Sequence, residues 1–363
     1  MKVGMLTSGG DCQGLNPAMR GVAKSLYQMA PDTVIYGICD GYRGLMNGKY
    51  REMTPRDFTG ILREGGTILG TSREPYKNIL ASMGAENGED KVKKMIDTYH
   101  AMQLDALVIL GGNGTHKTAN LLSEEGLNVI GLPKTIDNDI WGTEVTFGFH
   151  TAVDIATDVI DRIHTTATSH GRVMVIEIMG NKAGWLTLYS GVAGGADVVL
   201  LPEIPFEMEE VVRVIEERTR QGKRFTIVCV AEGAKTVAES QMKKKELAAA
   251  RAAMKYPSIT YRMAAELEEM TGRETRVAVP GHFQRGGDPC PADRVLATRL
   301  GAAAAGYLLE GRFGVMAAMV DGEVKPVKLE KVAGKLKSVP KDYSLVLQAK
   351  QMGISFGEPI AAE

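Results

Sequence analysis

The segment Pro133-Lys134-Thr135-Ile136-Asp137-Asn138-Asp139 gathers an ammonium, a hydroxyl, an amide and two carboxylates, directly behind the apolar run 127–132. Acidic side chains form strands poorly and are costly to bury, so such a cluster fits a site that handles protons, a divalent cation, or both. An Asp beside a transferring phosphoryl group can take a hydroxyl proton. A second Asp can hold Mg²⁺, which takes oxygen ligands. Taken alone, the segment reads equally well as an Asx-rich turn.

Three glycine-rich loops shift that balance. Thr7-Ser8-Gly9-Gly10-Asp11 and Gly111-Gly112-Asn113-Gly114-Thr115 each follow a strand-like run and open a helix-like one, and the third, 65–73, ends in Arg73. Paired glycines before a helix bring backbone amides close to an anion, and the helix dipole favours negative charge there. Neither of the first two is GxxxxGK[ST], and neither is GxGxxG with an acidic residue about 20 positions on, so the dinucleotide reading is weak. Further along, Ser169-His170-Gly171-Arg172, Met179-Gly180, Ala231-Glu232-Gly233 and 281–287 (GHFQRGG) punctuate other strand ends. Arg172, Arg276, His282 and Arg285 suit a sugar phosphate, because a guanidinium matches phosphate geometry. The six histidines show no metal spacing, and no Ser or Cys stands in a nucleophile-elbow context.

The elements that position these residues read as strand–helix alternation. Short continuous apolar runs at 3–6, 34–38, 106–110, 129–132, 173–178, 198–201 and 225–230 suit strands buried on both faces. Between them, Asn16 and Pro17 open a helix over 17–29, Gly126 closes one that begins near Thr115, and another covers 152–164. The fold class is therefore α/β with parallel sheets. The Ala-rich stretch 241–254 reads as a surface helix or a mobile insertion. The chain has 363 residues, enough for two domains. A formal charge of −1 gives no electrostatic case for nucleic acid or an anionic membrane. No apolar run approaches the length of a membrane span, and the first residues lack the apolar core of a signal peptide. With Cys12, Cys39, Cys229 and Cys290 scattered, reduced thiols in a cytoplasm are expected rather than a disulfide framework. Cys12, in the first glycine loop, is either an oxidation-sensitive thiol or a small residue that fits.

Taken in order, TSGGD (7–11), GGTILGTSR (65–73), GGNGT (111–115), PKTIDND, SHGR, MG, AEG and GHFQRGG resemble the 6-phosphofructokinases. They are most similar to the mixed-donor bacterial subgroup with Lys in PKTIDND. The resemblance implies two Rossmann-like three-layer domains with an active-site cleft between them. The donor domain would comprise 1–148 with 284–334, and the sugar-phosphate domain 149–283 with 335–363. It implies that Asp137 takes the proton of the sugar 1-hydroxyl, with Thr135 and Arg73 assisting. Gly10, Tyr42, Arg73, Gly112, Asn113, Gly114, Thr115 and Lys134 match donor-site positions. Asp139, with a weaker contribution from Asn113, would hold Mg²⁺. Fructose 6-phosphate would meet Thr135, Asp137, Met179, Glu232, His282 and Arg285. Arg172 and Arg276 match positions that a neighbouring subunit supplies, so a tetramer or a dimer is expected.

Three departures bear on the chemistry. Gly114 resembles ATP-using members, where a side chain would collide with the nucleotide, whereas Lys134 resembles pyrophosphate users. Weighting shape above charge, ATP is the expected donor and pyrophosphate the alternative. Asn113 replaces an acid near the metal, so weaker Mg²⁺ binding is expected. Asn181 replaces an Arg, with Lys182 or Lys134 as substitutes. In the effector pocket of regulated relatives Arg20, Lys24 and Lys223 are retained, while Pro55, His164, Gln221 and Phe225 stand where basic or polar residues would be expected, so the pocket is only partly matched. Weak or absent regulation follows. A rival from another class is a sugar-phosphate-binding protein without chemistry, for which Asp137 would have no use.

Overall fold

The computed structural model describes residues 1–85 and 89–359. The strands are β1 Lys2–Ser8, β2 Val34–Ile38, β3 Tyr50–Met53, β4 Ala106–Gly111, β5 Val129–Pro133, β6 Val173–Ile178, β7 Val198–Leu200, β8 Thr226–Ala231, β9 Thr275–Ala278, β10 Val315–Val320 and β11 Glu323–Lys328. The chain divides into two compact units, Met1–Thr151 with Arg285–Lys337 and Ala152–Gln284 with Ser338–Glu363.

In the first unit seven strands form a sheet in the order β11-β10-β5-β4-β1-β2-β3. The five inner strands run parallel, and β3 and β11 close the two edges antiparallel. Every residue of β4 and β5 is buried, as their unbroken apolar runs require. In the second unit β7-β8-β6-β9 are all parallel. Helices lie between successive parallel strands in both units, the α/β architecture expected from the alternation. Among the described residues no helix is long and apolar enough to cross a membrane.

Several elements differ from the sequence expectations. The first helix is Leu15–Met29, capped by Gly14 at φ 96°, so Asn16 lies inside it rather than at its cap. The helix expected over 152–164 runs from Phe149 to His170. The helix within 241–254 is Lys244–Ala252, none of whose residues is buried. Thr151 stays with the first unit because its backbone N–H and hydroxyl both donate to buried Asp293, at 2.8 and 2.6 Å. Leu336 and Lys337 stay with it too, through a bridge from Leu336 to Ile140 and the Lys337 N–H donated to the Asp139 carbonyl at 2.9 Å.

The start of the first helix is held by close packing on the helix Pro291–Leu309. A Cβ on Gly301 would lie 2.3 Å from the Ala18 carbonyl oxygen, and one on Gly21 would lie 2.8 Å from that of Thr298. Only glycine allows the two backbones this approach, and the contact fixes where the loop after β1 ends.

Candidate active site

In the first unit the chemistry-bearing segments leave the carboxyl ends of three neighbouring parallel strands. Gly9-Gly10 follows β1, Gly112–Thr115 follows β4, and Lys134–Asp139 follows β5, the end of an open parallel sheet where ligands bind. Hydrogen bonds tie the glycine loops together. Gly9 N–H donates to Ser72 O at 3.0 Å, and the Thr71 hydroxyl donates to Gly9 O at 2.7 Å. The Thr115 hydroxyl reaches Ser8 O at 3.2 Å. Asn16 has a different role from the cap expected of it. Its amide nitrogen donates to Glu64 O at 3.0 Å and its oxygen accepts from Ile68 N–H at 2.9 Å, clamping the third loop against the first helix.

Along the segment after β5, burial alternates residue by residue. Lys134, Ile136, Asn138 and Ile140 are buried, whereas Thr135, Asp137 and Asp139 are partly exposed. Ile136 and Ile140 anchor the backbone, and the three polar side chains Thr135, Asp137 and Asp139 share the accessible side. The Asp137 N–H donates to the Thr135 hydroxyl at 3.1 Å, and the Thr146 hydroxyl donates to Thr135 O at 2.7 Å. Asn138 sits at φ 50°, a left-handed turn between the two acids.

Cations converge on Gly10. The Lys134 ammonium donates to the Gly10 carbonyl. A Cβ on Gly10 would lie 2.8 Å from Arg285 Nη1 and 3.4 Å from Arg73 Nη2. Burial pushes the Lys134 ammonium below its usual value, and Arg285 pushes the same way. Arg285, expected among the sugar contacts, lies beside the first glycine loop. Cys12 is buried and donates to the Gln13 and Phe147 carbonyls, and burial pushes its thiol up to about 12. It is an inert thiol that fits the loop.

Two donor-site expectations change in character. Tyr42 is 1% exposed and donates its hydroxyl to the Thr115 carbonyl at 2.8 Å. It supports the first turn of the helix Asn113–Glu124 rather than offering a surface, and burial holds its phenol protonated. The Asn113 amide nitrogen is committed to the Lys335 carbonyl, so only its oxygen could meet a cation. Gly114 stays open: a Cβ there would meet nothing within 4 Å.

His116, one turn into that helix, is fully buried, with Nδ1 3.0 Å from Gly112 O. Burial pushes it down to about 4. A base depressed in the folded state binds its proton more readily when unfolded, so its contribution is complete above about pH 6.5 and is lost as pH falls toward 4. That loss is about 3 kcal/mol. Thermal unfolding of the native chain should therefore be more acid-sensitive across this window than that of His116→Gln. Parallel pH profiles would contradict this.

In the second unit Met179, Glu232 and His282 follow β6, β8 and β9, three strands that neighbour each other in that sheet. Met179 N–H donates to the buried Gln284 Oε1 at 3.1 Å, and Glu232 N–H donates to Ile178 O at 2.9 Å. A Cβ on Gly233 would lie 2.0 Å from the Asn181 carbonyl, so the Glu232 turn needs glycine there. Arg172 and Arg276 are not with them. Arg172 precedes β6 and Arg276 is the second residue of β9, so both lie at the opposite end of the sheet. There both bind Glu274, Arg172 Nε at 2.7 Å.

Three further residues support these turns through partners distant in sequence. Gln284, inside GHFQRGG, holds the Met179 N–H from 105 residues away. Arg251, on the exposed helix Lys244–Ala252, reaches the carbonyls of Glu232 and Ala234, at 3.5 and 2.5 Å, and is paired with buried Glu239 at 3.0 Å. That helix therefore supports the Glu232 turn. Lys337 donates into the Asn138 turn, and burial pushes it down to about 8 against the pull of Asp139 and Glu144.

Among the described residues no three or more His, Cys, Asp or Glu side chains gather as a metal cage. Mg²⁺ needs no such cage, since it is usually held by one or two carboxylates with phosphate oxygens and water. Asp139, accessible in the segment after β5, fits that pattern. Glycine amides, a helix N-terminus, converging cations and an accessible carboxylate are what phosphoryl transfer asks of a protein.

A family model described as Phosphofructokinase matches residues 2–308. A Spirochaeta thermophila protein named ATP-dependent 6-phosphofructokinase is 56% identical over 98% of both chains. The crystal structure of Pichia pastoris phosphofructokinase in the T-state superposes with a TM-score of 0.78 at 30% identity, covering 91% of this chain and 35% of that one. A pyrophosphate-dependent phosphofructokinase from Nitrosospira multiformis superposes at 0.81 with 19% identity, over 100% of this chain and 93% of that one, a likeness of fold alone.

Proposed function

We propose that this chain, which belongs to the phosphofructokinase family, is an ATP-dependent 6-phosphofructokinase. It moves the γ-phosphoryl of ATP to the 1-hydroxyl of fructose 6-phosphate, giving fructose 1,6-bisphosphate and ADP, the committed phosphorylation of glycolysis. The observation that carries this reading is the alternation after β5, which leaves Thr135, Asp137 and Asp139 accessible beside three tied glycine loops.

Asp137 accepts the hydroxyl proton as the sugar oxygen attacks phosphorus, a transfer that needs a base within hydrogen-bond reach. Thr135 keeps that segment in place through the Asp137 N–H. The amides after Gly9 and Gly112 line the polyphosphate, and Arg73, Arg285 and Lys134 offset the charge spread over the transferring oxygens. Lys134 is also bonded to the Gly10 carbonyl, so its ammonium tethers the loop as well as serving phosphate. That double duty weakens it as a marker of pyrophosphate use, and open Gly114 leaves room for a nucleotide. Asp139, with the oxygen of Asn113, would hold Mg²⁺, which supplies charge neutralisation between the phosphates when bound.

The first unit is the donor-binding half, and the second holds the sugar phosphate through Met179, Glu232 and His282. Arg172 and Arg276 then act in a neighbouring subunit. Seven residues at about 3.3 Å each put Arg172 roughly 20 Å from Met179 along the strand, too far to share one sugar within a chain. A tetramer or dimer working in the cytoplasm follows from this reading. His164 bonds Gly194 O at 2.7 Å and packs edge-on against Phe225, and Gln221 bonds Glu217 at 2.8 Å. Those contacts leave few cations for an effector phosphate, in keeping with weak regulation.

The test is product identity. Incubation with ATP, Mg²⁺ and fructose 6-phosphate should yield equal amounts of ADP and fructose 1,6-bisphosphate. ADP without the bisphosphate, or neither, would overturn the assignment.

A further inference from the structure

Lys337 stands 199 residues from Asn138 in sequence, yet its ammonium donates to Asn138 Oδ1 at 2.8 Å. It also donates to the Thr143 carbonyl at 3.0 Å and the Glu144 carbonyl at 2.8 Å. Three acceptors match the three protons of an ammonium. Its own N–H donates to the Asp139 carbonyl at 2.9 Å, and the residue before it bridges to Ile140. The chain thus returns from the far end of the first unit to brace the back of the turn that carries both acids.

Asn138 is left-handed at φ 50°, a conformation that Asn adopts more readily than most residues because its short amide can bond locally. Its side chain is held from three directions. Oδ1 also accepts from Thr146 N–H at 3.1 Å, and Nδ2 donates to Glu144 O at 3.4 Å. The backbone direction at Asn138 sets the relative placement of Asp137 and Asp139. A shift of about 1 Å in a reacting group can lower a rate by roughly a hundredfold.

We propose that Lys337 is a positioning residue for phosphoryl transfer, pinning the left-handed turn at Asn138 so that Asp137 and Asp139 keep their working placement. The proposal rests on the phosphofructokinase reading. It assigns Lys337 no contact with substrate. Its removal should therefore act on turnover and leave sugar binding by the second unit alone.

The experiment compares the native chain with Lys337→Met, Asn138→Gly and the double variant, measuring kcat per folded molecule, KM for fructose 6-phosphate and the thermal midpoint. Glycine accepts positive φ without strain, so Asn138→Gly keeps the backbone while removing the acceptor. Each single variant should lose about 10- to 100-fold in kcat, with KM changed less than about twofold. The double variant should lose little more than either single one, because both break one unit. Native kcat per folded molecule in Lys337→Met would overturn the proposal, as would strictly additive losses. If Lys337→Met does not fold, Asn138→Gly decides: a kcat loss at constant KM supports it, and native kcat overturns it. A native chain that fails to phosphorylate fructose 6-phosphate would instead sink the functional reading, and this inference with it.

Discussion

Asp137→Asn should lower kcat by about a thousandfold while KM for fructose 6-phosphate changes little, the range expected for losing a general base. The substitution keeps size and shape. The hydrogen bond to the Thr135 hydroxyl comes from the Asp137 backbone, so the segment keeps its fold when the carboxylate becomes an amide. The buried anchors Ile136 and Ile140 are untouched. What disappears is the carboxylate's negative charge and, with it, the ability to take a proton. Steady-state kinetics together with a thermal midpoint would separate this from misfolding. A variant retaining most of its turnover would mean that another group takes the proton, or that the rate-limiting step is not transfer.

The second large effect concerns the donor. Gly114→Asp should raise KM for ATP by roughly a hundredfold, since placing like charges together costs several kcal/mol. KM for fructose 6-phosphate should stay as it is. Nothing in the fold asks for glycine at 114. Its φ is not positive, and a Cβ would meet no protein atom within 4 Å. An acid in the first turn of the helix Asn113–Glu124 even suits the helix dipole. Stability should therefore hold or rise slightly, and any loss of ATP use belongs to the ligand's space. An unchanged KM for ATP would show that the nucleotide passes elsewhere.

Both expectations rest on features legible before any coordinates. Continuous apolar runs revealed β1, β2, β4, β5, β6, β7 and β8, whose residues are mostly apolar and buried. β10 escaped because VMAAMV reads as helix, Ala and Met being strong helix formers, and only its place between β5 and β11 makes it a strand. β11 escaped because Pro326 lies inside it, which is tolerated only at the sheet edge that it occupies. The site divided in the same way. Candidates defined within one loop, such as Asp137, Gly114 and Glu232, stand out by local chemistry. Arg285 against Gly10, Arg251 beneath Glu232 and Lys337 behind Asn138 depend on chain crossings that no local pattern encodes. The burial of Tyr42, which the resemblance matches to a donor-site position, likewise depends on packing that no local pattern encodes.

The most direct measurement is the initial rate with fructose 6-phosphate and Mg²⁺, ATP against pyrophosphate at equal concentration. A strong preference for ATP is expected, because open Gly114 admits a nucleotide while Lys134 is engaged with the Gly10 carbonyl. A preference for pyrophosphate would contradict this and make the charge of Lys134, rather than the space at Gly114, the determinant of the donor.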